Sequence, residues 1–249
     1  MPTLGTDVLS VQLYTIREAL AEDVDASLGR IAEIGFKQVE PFAFQNFFDG
    51  LKAGLAKYDL TAPTVHTSVV DADVDEILGA AKELGIQTVI TPHTDPEQWK
   101  TEEGISGIAD QLNAAADKAA AAGLSVGYHN HWFELESMID GKHGLEVLAA
   151  KTAPEVVLEV DTYWAQVGGA DVPALLGRLG DRVQALHLKD GDGTRNNKNQ
   201  VAVGNGVIPV WDFINATPNL KYGVVELDDS DLDRFECIAQ SFAYLTGKA

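Results

Sequence analysis

A single cysteine, Cys237, leaves no partner for an intramolecular disulfide and no set of thiolates for a zinc cluster. A buried, inert thiol in a C-terminal helix is the expectation for it. Cationic residues are also scarce: 18 Lys and Arg stand against 38 Asp and Glu, a net charge of -20. So acidic a surface disfavours nucleic acid and anionic membranes as partners. No apolar run reaches the roughly 18–20 residues that a membrane span requires. No basic stretch followed by an apolar core marks a signal peptide, so a cytoplasmic location is expected.

What the chain does have is alternation. Short strand-like segments are expected at residues 8–13, 38–42, 61–66, 86–91, 124–129, 156–161, 183–189 and 222–227. Helical segments follow at 21–34, 48–57, 74–84, 105–122, 144–151, 172–179, from about 210, and at 231–246; Gly35 and Gly85 stop two of them. Eight strand–helix units without a linker of unusual composition predict one α/β domain over residues 1–249, a (β/α)8 TIM barrel. A doubly wound open sheet is the alternative, but no dinucleotide-type glycine fingerprint follows the first strand.

The fifth segment, LSVGYHNHWFE, sets the functional expectation. Period-two alternation turns Leu124, Val126 and Tyr128 one way and His129 the other, with His131 following. In VVLEVD the same parity leaves Glu159 and Asp161 inward; in VQALHLKD it leaves Ala185, His187 and Lys189; in YGVVELDD, Val224, Glu226 and Asp228. Catalytic groups of such barrels sit at the C-terminal strand ends. Four consecutive strands thus deliver His129, Asp161, His187 and Glu226 to one mouth. Mixed imidazole and carboxylate ligands suit Mn2+, Zn2+, Co2+ or Fe2+ better than Ca2+. A lone His or Glu at a strand end is more often a hydrogen-bonded structural group, so the weight lies on the set of four.

The motifs YHNHWFE, EVDTYW, HLKD and VVELD resemble the xylose-isomerase-like TIM barrels, which include sugar isomerases and epimerases, hydroxypyruvate isomerase and inosose dehydratase. The resemblance runs from the first strand to Glu226. Relatives of the D-tagatose 3-epimerase type hold a divalent metal, often Mn2+, through Glu, Asp, His and Glu on these four strands. The resemblance assigns the last three positions to Asp161, His187 and Glu226. The first carries no glutamate: an ungapped match puts Tyr128 there, a one-residue shift puts His129, and parity favours His129. The Asn130-His131-x-x-Glu134 spacing resembles a branch known only as sugar phosphate isomerase/epimerase, and also proteins acting on 3-keto sugars such as C-glycoside deglycosidase subunits.

The expected activity is a divalent-metal-dependent isomerase or epimerase of a small keto sugar or sugar phosphate, working through an enediolate. Mn2+ is the first choice of metal, with Mg2+, Co2+, Zn2+ and Fe2+ as alternatives. Glu226 would serve one substrate face and His129, His131 or Glu134 the other. Lys189 would neutralise charge or bind a phosphate, or else form a rim salt bridge with Asp190 or Asp228. Glu40, His66, Trp132, Trp164 and Arg195 are expected to contact the substrate; packing or structural hydrogen bonding is the plain alternative for each. His93 reads as structural. Alternatives for the whole are a lyase on the same scaffold (a 3-keto-glycoside deglycosidase or inosose-type dehydratase) and a sugar-binding barrel without catalysis. The partner is a small sugar, not nucleic acid or membrane; self-association is compatible with a large acidic barrel.

Overall fold

A computed structural model describes residues 2–248. Seven strands form one parallel sheet: β1 (Leu9–Val11), β2 (Thr64–His66), β3 (Thr88–Thr91), β4 (Ser125–His129), β7 (Val157–Asp161), β8 (Val183–Leu188) and β9 (Tyr222–Val225). Between β4 and β7 lies a two-stranded hairpin, β5 (Met138–Ile139) and β6 (Lys142–His143). Asp140 and Gly141, both at positive φ, make its turn, a strong hairpin signal. The sheet order is β1-β9-β8-β7-β4-β3-β2, so chain neighbours are mostly sheet neighbours and the sheet curls around one axis.

The expected second strand, 38–42, is present only as isolated bridges, Gln12↔Glu40, Gln38↔Thr61 and Phe42↔His66. It still reaches both open edges. Glu40 N–H donates to Val11 O (2.8 Å) and Leu13 N–H to Glu40 O (2.9 Å). On the other side, Val39 N–H donates to Thr61 O (2.9 Å) and His66 N–H to Pro41 O (2.8 Å). Pro41 explains the broken ladder, because it has no N–H to give. Pro63 shortens the expected third strand to Thr64–His66 in the same way.

The expected helix 21–34 is two helices, Arg17–Glu22 and Val24–Ile34. Asp23 breaks it: its backbone is extended, and its carboxylate accepts the Ala26 N–H (2.9 Å) as an N-cap. The alanine-rich helix Glu102–Ala122 ends at Gly123, whose φ of 77° suits a residue without Cβ. Its inner face, with Ile108, Leu112 and Ala119, is fully buried against the sheet. Cys237 is buried and free. Among the described residues no helix is long and apolar enough to cross a membrane.

Outside the sheet the core is aliphatic and aromatic. Inside the curl it is polar: Gln12, Glu40, His66, His129, Glu159, Asp161, His187, Lys189 and Glu226 are all buried. Burying so many ionisable groups is costly unless each finds partners.

Candidate active site

Strand parity delivers the polar groups. Along β7, Leu158 and Val160 pack outward while Glu159 and Asp161 reach the axis; along β8, Leu186 and Leu188 pack outward and His187 reaches in. Parallel register sets Asp161 beside His187 and His129 beside Glu159. Of the two residues weighed for the first position, Tyr128 points away: its hydroxyl donates to Glu134 Oε1 (2.9 Å), and its ring lies 5.3 Å from Trp99. His129 faces inward. Asn130 ties the strand ends together, accepting the Asp161 N–H (3.1 Å) and donating to the Asp161 carbonyl (3.2 Å).

Donor atoms of His129, Asp161, His187 and Glu226 lie within 4.8 Å of one another. His187 Nδ1 is 2.7 Å from Glu226 Oε2, and His129 Nε2 is 3.8 Å from Asp161 Oδ2. The Lys189 ammonium joins the same carboxylates, 2.8 Å from Asp161 Oδ2, 2.7 Å from Glu226 Oε2 and 2.9 Å from Asp228 Oδ2. Lys189 is therefore a floor residue, not a rim residue, and its partner is Asp228 rather than Asp190. Asp161 Oδ2 lies at ion-pair distance from this ammonium without hydrogen-bonding geometry, and His129 Nδ1 likewise lacks a hydrogen bond. Two imidazoles and two carboxylates, with one atom of His129 and one of Asp161 lacking a hydrogen bond, fit a divalent transition metal.

A second layer lies beneath. Glu159 Oε2 is 2.6 Å from His66 Nε2, 3.1 Å from His187 Nε2 and 3.2 Å from His129 Nδ1. Glu40 Oε1 receives the Gln12 amide (2.8 Å) and approaches His187 Nε2 (2.9 Å) and His66 Nε2 (3.2 Å). The His66 and His187 rings stack 5.0 Å apart. His66, His129, Glu159 and His187 also hold their donor atoms within 4.8 Å of one another.

These contacts set the charges. Burial works against ionised Glu226, but Lys189 and His187 hold its carboxyl well below the usual range. Burial likewise opposes the Glu159 anion, and His187 and His66 overcome it. Glu40 is pushed up by burial and by the Glu159 charge. Burial raises Asp161 to about 6 in spite of Lys189. Burial would lower His187, yet Glu159 and Glu226 raise it well above its ordinary value. His129 is lowered by burial and by the His187 charge, and His131 falls to about 3 through burial and Lys189. The site thus presents an ionised carboxylate and two neutral imidazoles.

Above the floor opens a cavity of about 790 Å³. His66, His129, His131, Trp132, Trp164 and Glu226 line it, as does His93, which was expected to be structural. Trp132 and Trp164 pack together at 4.9 Å. Three expected contacts fall elsewhere. Glu40 is enclosed below the floor and holds histidines, so it cannot touch a substrate from there. Glu134 is buried behind β4, where its Oε2 accepts the His131 N–H (2.8 Å), and burial raises its carboxyl to about 8. Arg195 pairs with Glu136 and lies over the Trp132 ring (5.4 Å), outside the lining. Gln12, Tyr14 and Phe42 were not anticipated; for Gln12 the signal was a polar side chain of inward parity in an apolar strand.

A family model described as a xylose isomerase-like TIM barrel matches residues 11–228. An inosose dehydratase from Geobacillus kaustophilus is 26% identical over 192 residues, 67% of this chain and 61% of that protein. Another, from Lactiplantibacillus plantarum, is 32% identical over 125 residues, 50% of this chain and 38% of that protein. The chain thus spans less than two thirds of the length of these curated relatives. Among solved structures, a sugar phosphate isomerase/epimerase from Parabacteroides distasonis superposes with a TM-score of 0.79 at 19% identity, covering 97% of this chain and 94% of that one. The probable 3-DHS dehydratase AsbF from Bacillus anthracis gives 0.77 at 14% identity, with 97% and 100% covered. The IolI protein with a bound zinc atom gives 0.75 at 15% identity, with 97% and 98% covered. At such identities the superpositions speak to fold alone.

Proposed function

From the premise that this chain belongs to the xylose isomerase-like TIM barrel family, we propose that it removes a proton beside the carbonyl of a small keto sugar or cyclic polyol, with loss of a β-hydroxyl as water. The observation that carries the reading is the convergence of His129, Asp161, His187 and Glu226 within 4.8 Å at the cavity floor. A divalent metal held by these four, with Zn2+ and Mn2+ the first to try, would polarise the carbonyl as a Lewis acid and acidify the neighbouring C–H.

The chain's own groups divide the rest. Glu226, ionised and facing the cavity, takes the carbon-bound proton. The Lys189 ammonium offsets negative charge developing over the floor. Glu226, protonated by that step, then hands the proton to the departing β-hydroxyl on the same face, with the neutral His131 imidazole on the wall placed to hydrogen-bond the leaving oxygen; the C–O bond breaks, water leaves, and a C=C bond forms in conjugation with the carbonyl. Dehydration is favoured by the two inosose dehydratases among the relatives. The same first step with the proton returned by Glu226 to the neighbouring carbon would be isomerisation, and its return to the opposite face of the same carbon would be epimerisation. We read the chain as one closed (β/α)8 unit in which 38–42 fills the eighth strand position.

The test pairs metal analysis with isotope exchange. Purified protein should carry about one equivalent of a transition metal, and Asp161→Asn/His187→Ala almost none. Incubation with inosose or a ketohexose in D2O should incorporate deuterium beside the carbonyl and release a water-loss product. Full turnover without deuterium in substrate or product would count against proton transfer. Deuterium without water loss would favour the epimerase.

A further inference from the structure

A phosphorylated substrate needs free cations or free backbone amides to receive it. In TIM barrels that place is commonly built from the loops after the seventh and eighth strands. Here the amides after β8 already hold an anion, and it belongs to the chain. Asp190 Oδ1 accepts the N–H groups of Gly191 (2.8 Å) and Ile208 (3.0 Å), and Oδ2 those of Gly204 (2.9 Å) and Gly206 (3.1 Å). Asp190 is 1% exposed. The fit is close: a Cβ on Gly206 would stand 2.1 Å from Asp190 Oδ1. Four amides that could cradle a phosphate are occupied by an internal carboxylate.

The cations around the mouth are committed as well. Lys189 is enclosed by three carboxylates. Arg17, which lines the cavity, spans the Tyr14 and Asp228 carbonyls and pairs with Glu18, and Lys198, beside the lining Asn197, pairs with Asp231 at 3.6 Å. Arg195 holds Glu136, and Arg234 holds Glu18 and Asp229. Meanwhile Glu226, Asp228 and Asp229 all face the cavity. A dianion would meet three carboxylates at the cavity, and each of these cations is already paired with at least one carboxylate.

The walls offer apolar surface instead. Tyr14, just past the first strand, and Phe42, the last residue of the 38–42 segment, meet edge to face at 5.2 Å. Trp132 and Trp164 follow β4 and β7, which lie across the sheet order from them. The volume of about 790 Å³ sits high in the range of roughly 300–1,000 Å³ usual for small-molecule sites. That leaves room beside a single sugar ring.

We propose that the substrate is an uncharged sugar carrying an apolar ring or substituent, and that sugar phosphates are excluded. The inference rests on the sugar reading above. Binding, read from quenching of tryptophan fluorescence in the protein as purified, separates the two. D-Fructose should bind about tenfold or more tighter than D-fructose 6-phosphate. Phenyl β-D-glucoside should bind about tenfold tighter than D-glucose, and Trp132→Ala should erase most of that advantage while moving glucose little. Asp229→Asn should narrow the phosphate gap without changing fructose. Tighter binding of the phosphate, or equal binding of glucose and its phenyl glycoside, would overturn this inference and leave the sugar reading standing. Failure of all four ligands to bind would overturn both.

Discussion

The two layers inside the barrel use the same residue types and even the same histidines, yet they are charged in different ways. In the upper layer Asp161 and Glu226 are balanced chiefly by the Lys189 ammonium, and the layer opens to the cavity through Glu226 and His129. In the lower layer Glu40 and Glu159 are balanced by imidazoles, and only His66 reaches the cavity. Two residues along one strand, from Glu159 to Asp161, separate a carboxylate held among histidines from one held by an ammonium. Metal-bound histidines commonly donate their other N–H to a carboxylate, which fixes the ring and its tautomer. On the metal reading proposed above, Glu159 and Glu40 would do this for His187, and Glu159 for His129. Position along the barrel axis, more than residue identity, therefore divides the roles.

The largest test removes the residue that joins the layers. His187→Ala leaves Glu40, Glu159 and Glu226 without their shared partner. We expect a loss of about 4–5 kcal/mol and a fall in Tm of roughly 10–15 °C by calorimetry, together with loss of bound metal. If the metal is lost while melting is unchanged, the layers are independent and the comparison fails.

Lys189→Met acts on the upper layer alone. Without the ammonium, Asp161, Glu226 and Asp228 repel one another in a buried site. The metal-free protein should lose about 3 kcal/mol, while the metal-loaded protein loses much less, because a divalent ion compensates the same charges. The measurement is the Tm difference with and without metal, which should widen in the variant. An unchanged difference would mean that the ammonium and the ion do not share these carboxylates.

Glu159→Gln acts on the lower layer alone and keeps its shape. Metal affinity should weaken by about 10–100-fold, as read by competition with a chelator. An unaltered affinity would remove the lower layer from any role in metal binding.

Much of this was legible in the sequence because parity is a local rule. Inward delivery of His129, Asp161, His187 and Glu226 follows from alternation within short segments, and so does the outward turn of Tyr128. Depth and pairing across the axis are not local. Nothing along HLKD tells that Lys189 sits under the floor with three acids, or that Glu40 meets His187 at a separation of 147 residues. The Asp190 cradle is hidden for the same reason, since its donors come from both ends of a long loop. The 38–42 segment could have been read better: Pro41 cannot donate to a ladder and argues for bridges over a regular strand.

Glu134 lies outside both layers. Like the layer carboxylates it is fully buried, but no imidazole or ammonium compensates it; its partners are the Tyr128 hydroxyl and the His131 amide. Burial accordingly raises it to about 8, whereas Glu159, among three histidines, stays ionised. A raised carboxyl keeps its proton in the folded state where the unfolded chain has lost it. Its contribution to stability is complete below about 4.5 and drains away as the pH rises towards 8. Glu134→Gln removes that titration while keeping a side-chain oxygen for the His131 N–H. The stability of the variant, measured by urea unfolding between these limits, should fall less steeply than that of the parent, by about 1 kcal/mol per pH unit. Parallel pH profiles would show that Glu134 is ionised in the folded protein. Burial without a counter-charge would then not be what distinguishes it from Glu159 and Glu226.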